Sequence, residues 1–136
     1  MAKLIADMSV GKKIKLAYMG NAEARKLLLR DRNKTVAVAV VKSGRMTDSE
    51  AAAAAGNKNL HMDVLREISS NKEFLRKYNV KVALCNNPKT PVSVAVGLVS
   101  GLSRSDLASL ARNKNVPGVV QKMAFRIQKQ RTSNQE

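Results

Sequence analysis

Residues 84–97 read LCNNPKTPVSVAVG, and whether the second half is strand or helix decides the fold. Taken alone, VSVAVGLV (residues 92–99) alternates and is rich in valine, as a half-buried strand would be. The first half points the other way. Asn87 and Pro88 mark a tight turn. Thr90 then stands where a helix N-cap belongs, and Pro91 where a first helical residue loses nothing by lacking an N–H.

The decision comes from three other stretches that share the pattern. With Asp31, Asn57, Asn87 and Asn113 as common anchors, spaced 26, 30 and 26 residues apart, the segments are LLRDRNKTVAVAVV, AAGNKNLHMDVLRE, LCNNPKTPVSVAVG and LARNKNVPGVVQKM. Three residues before the anchors stand Leu28, Ala54, Leu84 and Leu110; seven after them stand Val38, Val64, Val94 and Val120. The equivalents HMDVLREI and GVVQKMAF are poor strand formers, so TVAVAVV and VSVAVGLV are read as helices too. The longer middle interval falls on SSNKEFLRKYN, read as an added helical turn or short helix.

Each unit reads as helix, turn, helix. Asn21 is the expected N-cap of NAEARKLLLR, Thr47 and Glu50 form a capping box, Ser103 and Asp106 do the same, and Gly56 suits a left-handed helix end. The run Ala51–Ala55 carries nothing larger than a methyl group and suits close helix–helix approach. The expected fold class is all-α, a short right-handed α-solenoid of about four helix-turn-helix repeats, because stacked pairs share a core that no single pair can bury. Residues 1–8 are expected as an N-terminal extension, 9–130 as a single helical-repeat domain and 131–136 as a flexible tail. Within that domain SVGKKIKLAYMG caps one end and GVVQKMAFRIQKQ closes the other.

LCNNPKTPVSVAVGLV resembles leucine-rich-variant repeats, with their Asn-Pro-x-Thr-Pro turn, and LARNKNVPGVV resembles them less closely. From about Asn21 to Gln128 the chain is similar to a divergent HEAT-like or leucine-rich-variant helical repeat protein; RDRNK and GNKNL depart from the Asn-Pro form. The resemblance implies the stacked architecture. It also implies a role in protein scaffolding or, as in HEAT-like DNA glycosylases, in gripping a duplex backbone.

Charge is the strongest functional signal. The 136 residues carry 25 Lys and Arg against 10 Asp and Glu, a net +15. Residues 1–68 hold 13 bases and 7 acids, the remainder 12 and 3, so both halves are basic. Such a balance favours polyanions without selecting a fold. No run of about 18 apolar residues suggests a membrane span, the opening residues lack a signal-peptide core, and Cys85 stands alone. The expected compartment is the cytoplasm, with no cofactor and no metal.

In a solenoid the turns line one edge. That edge carries Arg30, Arg32, Lys34, Lys58, Lys89, Arg112 and Lys114, with Asp31 the one acid among them. It also presents four helix N-termini, whose N–H groups and partial positive charge suit phosphate. Asn33, Asn59, Asn87 and Asn115 are expected to add amide donors. The plain structural reading of Asn57, Asn87 and Asn113 is a turn or capping role. The remaining basic clusters, including Lys12, Lys13, Lys15 and Arg25, read as solvated helix faces or as a rival site on a concave face.

Only four aromatic residues are present, which disfavours single-strand stacking; Phe74 and Phe125 fall at core spacing and Tyr78 at the surface. His61 reads as a cap or surface residue and Cys85 as a buried, inert thiol. The expected function is non-enzymatic binding of duplex DNA or structured RNA through backbone phosphates, with little sequence preference. The alternative is an adaptor that holds an acidic protein; a binder of phosphate-bearing small ligands or lipid headgroups comes third.

Overall fold

The structure, a computed structural model, describes residues 2–134. Among them the chain is all-helical. The helices are α1 (Ala2–Ala6), α2 (Val10–Met19), α3 (Ala22–Leu28), α4 (Lys34–Lys42), α5 (Asp48–Ala55), α6 (Met62–Ser70), α7 (Lys72–Leu75), α8 (Tyr78–Asn86), α9 (Val92–Val99), α10 (Arg104–Ala111) and α11 (Gly118–Asn134). Both valine-rich stretches are helical, as α4 and α9. The four anchors join α3 to α4, α5 to α6, α8 to α9 and α10 to α11. The additional element in the long middle interval is α7, capped by Asn71.

One hydrogen-bond pattern builds all four joints. The side-chain oxygen of the anchor accepts from the backbone N–H two residues on: Asp31 from Asn33 at 2.9 Å, Asn57 from Asn59 at 2.9 Å, Asn87 from Lys89 at 3.0 Å and Asn113 from Asn115 at 2.9 Å. This is the Asx turn that a short polar side chain offers its own backbone. Each anchor's own N–H closes the preceding helix on the carbonyls of Leu28, Ala54, Leu84 and Leu110, the four residues expected three places earlier. The side chains of those four are buried.

The valine register shifts in the first joint. The third helical residue is Val36, Val64, Val94 and Val120 in α4, α6, α9 and α11, so Val36 takes the place expected for Val38. Val36, Val64 and Val120 are buried, while Val38 and Val94 are half-buried. The cause is Asn33, which caps α4 directly by accepting from Thr35 and Val36 N–H and so starts the helix early. Four further expectations are corrected. Gly56 is right-handed (φ −86) and Gly44 is the positive-φ glycine. Glu50 completes no reciprocal capping box, because Arg25 holds its carboxylate. Pro91 is the N-cap residue of α9, and the Thr90 hydroxyl instead donates back to Leu84 at 2.6 Å. Phe125 is 53 % exposed, with the Lys129 ammonium over its ring, while Phe74 is in the core.

The core is aliphatic and runs in two connected parts. The first extends from Ile5 through Leu28, Val40 and Leu65 to Leu84. The second holds Cys85, Val99, Leu107, Leu110 and Val120, and Leu98 packs against both. Helix α8 thus supplies neighbouring residues to the two parts. Ala51, Ala54 and Ala55 are buried, and α5 packs closely on α8, as an alanine run permits. The elbow between α2 and α3 requires Gly20, since a β-carbon there would lie 2.8 Å from the Leu16 carbonyl oxygen.

Both chain ends are more ordered than the sequence suggests. Helix α1 lies in the expected extension 1–8, yet Ile5 is buried and α1 packs on α3; Met1 falls outside the described residues. The expected tail 131–136 is helical as far as Asn134. Arg131 donates to the carbonyls of Leu102 at 2.6 Å and Ser100 at 2.7 Å, a cation over the end of α9. Residues 135 and 136 lie outside the described residues.

Asn87 is 2 % exposed and uses both ends of its amide. Its nitrogen donates to the carbonyls of Ala55 at 2.7 Å and Asn57 at 3.1 Å, in the preceding joint. Replacing Asn87 with Ala strands a buried carbonyl and an N–H, each of which costs about 1–3 kcal/mol. The expected loss in urea unfolding is about 2–4 kcal/mol, while Asn115→Ala, at an exposed position, costs under about 0.5 kcal/mol.

Two partly buried ion pairs give stability an acid limit. Lys13 meets Asp31 at 2.7 Å, and Arg25 grips Glu50 through two hydrogen bonds of 2.9 and 2.7 Å while also donating to the Gly20 carbonyl. Burial opposes the charge on Asp31, but hydrogen bonds from Lys13 and from Asn33 N–H prevail and hold its carboxyl below the ordinary range. Hydrogen bonding by Arg25 holds Glu50 low against its own desolvation. The stabilisation is therefore fully present above about pH 4, where unfolded carboxyls are also ionised, and is lost as pH falls through the folded values. The urea midpoint of an Asp31→Asn, Glu50→Gln variant should be lower at neutral pH and should fall less on acidification.

Candidate functional site

The joints adjoin one another. Asn87 of the third reaches back to Ala55 and Asn57 at the second, and Asn113 of the fourth donates to the side-chain oxygen of Asn86 at 3.0 Å. Arg30 of the first lines the same cavity as Asn57 and Leu60 of the second. Each joint thus neighbours the next in chain order. In Asn87 and Asn113 the amide nitrogen bonds to the preceding joint while the oxygen makes the turn. The first anchor is an aspartate, and Lys13 of α2 is its neighbour on that side.

All seven basic residues expected on this edge are exposed: Arg30, Arg32, Lys34, Lys58, Lys89, Arg112 and Lys114. Exposure follows from the turn. The turn ties the anchor's side-chain oxygen to the N–H two residues on, and the residue between them, which makes no such bond, is left outside. That residue is Arg32, Lys58, Pro88 and Lys114 in the four joints. Pro88 fits because this position donates no backbone bond. The third joint carries its cation one place later, at Lys89. Lys34 is drawn to Asp63 at 3.5 Å; the other six form no ion pair among the described residues.

The helix starts on this edge are not equivalent. Asn33 closes that of α4, so its oxygen is turned inward. At α6 neither His61 nor another side chain caps the backbone, but Asp63 puts a carboxylate in the first turn, where Lys34 and Arg66 flank it. At α9 no side chain caps the start, and Val92 and Ser93 N–H have no acceptor among the described residues. The same holds for Gly118 and Val119 N–H at α11. Of the four helix starts that follow the joints, only those of α9 and α11 lack both a side-chain cap and a carboxylate in the first turn. Asn87 is buried and unable to meet a ligand, which corrects its expected role as a donor; Asn59 and Asn115 are exposed.

Some charges grouped with solvated faces are structural. Lys13 and Arg25 bind Asp31 and Glu50, and Arg131 binds carbonyls, whereas Lys77 meets Asp48 at 3.5 Å on the exposed surface. The one sequence signal for Lys13 was the isolated acid Asp31 in a basic turn. Glu50 gave none beyond its place in a capping box. Tyr78 is part-exposed, and its hydroxyl accepts from Ser103 N–H at 2.8 Å and donates to Asp106. Cys85 is buried against the Ala95 carbonyl, and burial pushes its thiol up to about 12, so a neutral-pH thiolate is inaccessible. Among the described residues no helix is long and apolar enough to cross a membrane.

The contrast between free and engaged lysines is measurable. In brief acylation read by peptide mass spectrometry, Lys58, Lys89 and Lys114 should react together. Lys13, half-buried and held by Asp31 at 2.7 Å, should react more slowly than these three.

Comparison with protein-family models, with curated proteins and with solved structures finds no match to this chain, so its function has to be read from its own residues.

Proposed function

We propose that this chain is a non-enzymatic, cytoplasmic nucleic-acid-binding protein, a short right-handed α-solenoid of about four HEAT-like helix-turn-helix repeats. Its turn edge grips the phosphates of duplex DNA or structured RNA with little sequence preference. The observation that carries the reading is the row of six exposed cations free of ion pairs, Arg30, Arg32, Lys58, Lys89, Arg112 and Lys114, on four adjoining joints.

Scale supports it. Packed helices lie about 8–10 Å apart, so four joints extend over roughly 30 Å. A duplex presents one charge per about 1.7 Å of axis. Every cation on the edge can therefore find a phosphate, and the open starts of α9 and α11 add backbone donors beside Lys89 and Lys114. Contacts of this kind position a protein on a duplex without reading bases. The exposed aromatic residues, Tyr18, Tyr78 and Phe125, belong to α2, α8 and α11 and form no stacking row on the turns, which favours duplex over single strand.

Duplex DNA and RNA retention in a gel or filter assay tests this at two salt concentrations. Six phosphate contacts give a log–log salt slope of about −5. The Lys58→Gln, Lys89→Gln, Lys114→Gln triple variant should fold normally, bind more weakly and show a slope of about −3. Absence of retention at micromolar protein and low salt would end the nucleic-acid reading. A folded triple variant that binds unchanged would move the site off the turn edge.

A further inference from the structure

A groove of about 480 Å3 lies between α3 and α5. These helices are not closely packed, and the Arg25–Glu50 pair ties one end of the gap. The floor is apolar: Leu29, Ala54 and Leu60 are nearly fully buried there. The walls are small exposed residues, with Ala22 on one side and Ser49 and Ala53 on the other. Lys26 and Arg30, four residues apart and both exposed, form the rim toward the turn edge. Glu23 and Glu50 stand toward the other end, and Arg25 neutralises Glu50.

We infer that this groove seats an acidic amphipathic helical segment of a partner protein, with aliphatic side chains on the Leu29–Ala54–Leu60 floor and carboxylates against Lys26 and Arg30. Length, shape and charge select that occupant. Helices of seven and eight residues flank a trough about 10–12 Å long, two turns of a docked helix. That length matches anchors at i, i+3 or i+4, and i+7. The trough is open on its solvent side, so it admits a chain. Its cations lie at one end, which fixes the direction of a segment whose carboxylates gather there. A second copy of this chain is a poor occupant, because both carry +15. A second cavity, between α2, α4 and α6, is less suited: its Lys34 and Arg66 already face Asp63, and Glu67 adds a second carboxylate.

This site does not depend on the nucleic-acid reading, although Arg30 borders both surfaces. The probe is a synthetic helix of about 15 residues, the length at which isolated helices become measurable. It carries Leu at i, i+3 and i+7 and Glu between them, and is titrated into the full chain with methyl groups labelled for NMR. Saturable shifts are expected at Leu29, Ala53, Ala54 and Leu60. They should weaken about tenfold in Ala53→Arg, which fills the trough at an exposed position, and likewise in Lys26→Glu with Arg30→Glu. A control peptide with Lys for Glu should leave these methyls unmoved. Ala53→Arg should retain duplex binding, and the Lys58, Lys89, Lys114 triple variant should retain peptide binding. The inference is overturned if these methyls do not shift, if the Lys peptide binds equally, or if folded Ala53→Arg binds as before. It is also overturned, in favour of a small anionic amphiphile, if decanoate saturates these methyls and the acidic peptide does not.

Discussion

The bond from an anchor's side-chain oxygen to the backbone N–H two residues on is the constraint on which the rest depends. It turns the chain through a joint too short for regular structure and leaves the anchor's nitrogen available. At Asn87 and Asn113 that nitrogen reaches the preceding joint, so one side chain both makes a turn and spaces it from its neighbour. A serine or aspartate could form the turn, but neither has the amide's pair of donors for the neighbour. Aspartate works at position 31, where the neighbour is the Lys13 ammonium rather than a carbonyl.

From the same bond follows the surface. A turn that ties the anchor to the N–H two residues on leaves the residue between them outside, and the chain puts Arg32, Lys58 and Lys114 there. The cations cost little where they stand, because water solvates them and no apolar surface is sacrificed. Two half-buried basic residues are paired: Lys13 and Arg25 close gaps between helices. The net charge thus divides into an internal share that holds elements together and an external share available to a partner. The parted α3–α5 pair adds a different surface, where apolar floor and cationic rim lie side by side.

Much of this was legible in the chain. Asp31, Asn57, Asn87 and Asn113 could be aligned because the turn needs a short polar side chain at one place and the helix end needs an apolar residue three places before. That alignment outweighed the strand-like alternation of α4 and α9, since period-two patterning in a short segment yields to the packing of its equivalents. What escaped was set by side-chain reach rather than by pattern. Asn33 caps its helix from two residues closer and moves Val36 into the place expected for Val38. Arg25 takes Glu50 out of its capping box across 25 residues of sequence. Arg131 finds carbonyls 29 and 31 residues away and orders an end that composition reads as frayed. Phe125 lies on a face of α11 that no later helix covers among the described residues, so core spacing did not bury it.

Amide hydrogen exchange at the joints tests the central claim most directly. If the four anchors make the same turn, the N–H groups of Asn33, Asn59, Lys89 and Asn115 are protected in spite of their exposed positions. The neighbouring amides of Arg32, Lys58 and Lys114 should exchange near the unprotected rate. Replacing Asn57 with Ala should release Asn59 alone. Equal and rapid exchange at all of these amides in the folded protein would contradict the shared joint, and with it the single edge that the joints are proposed to form.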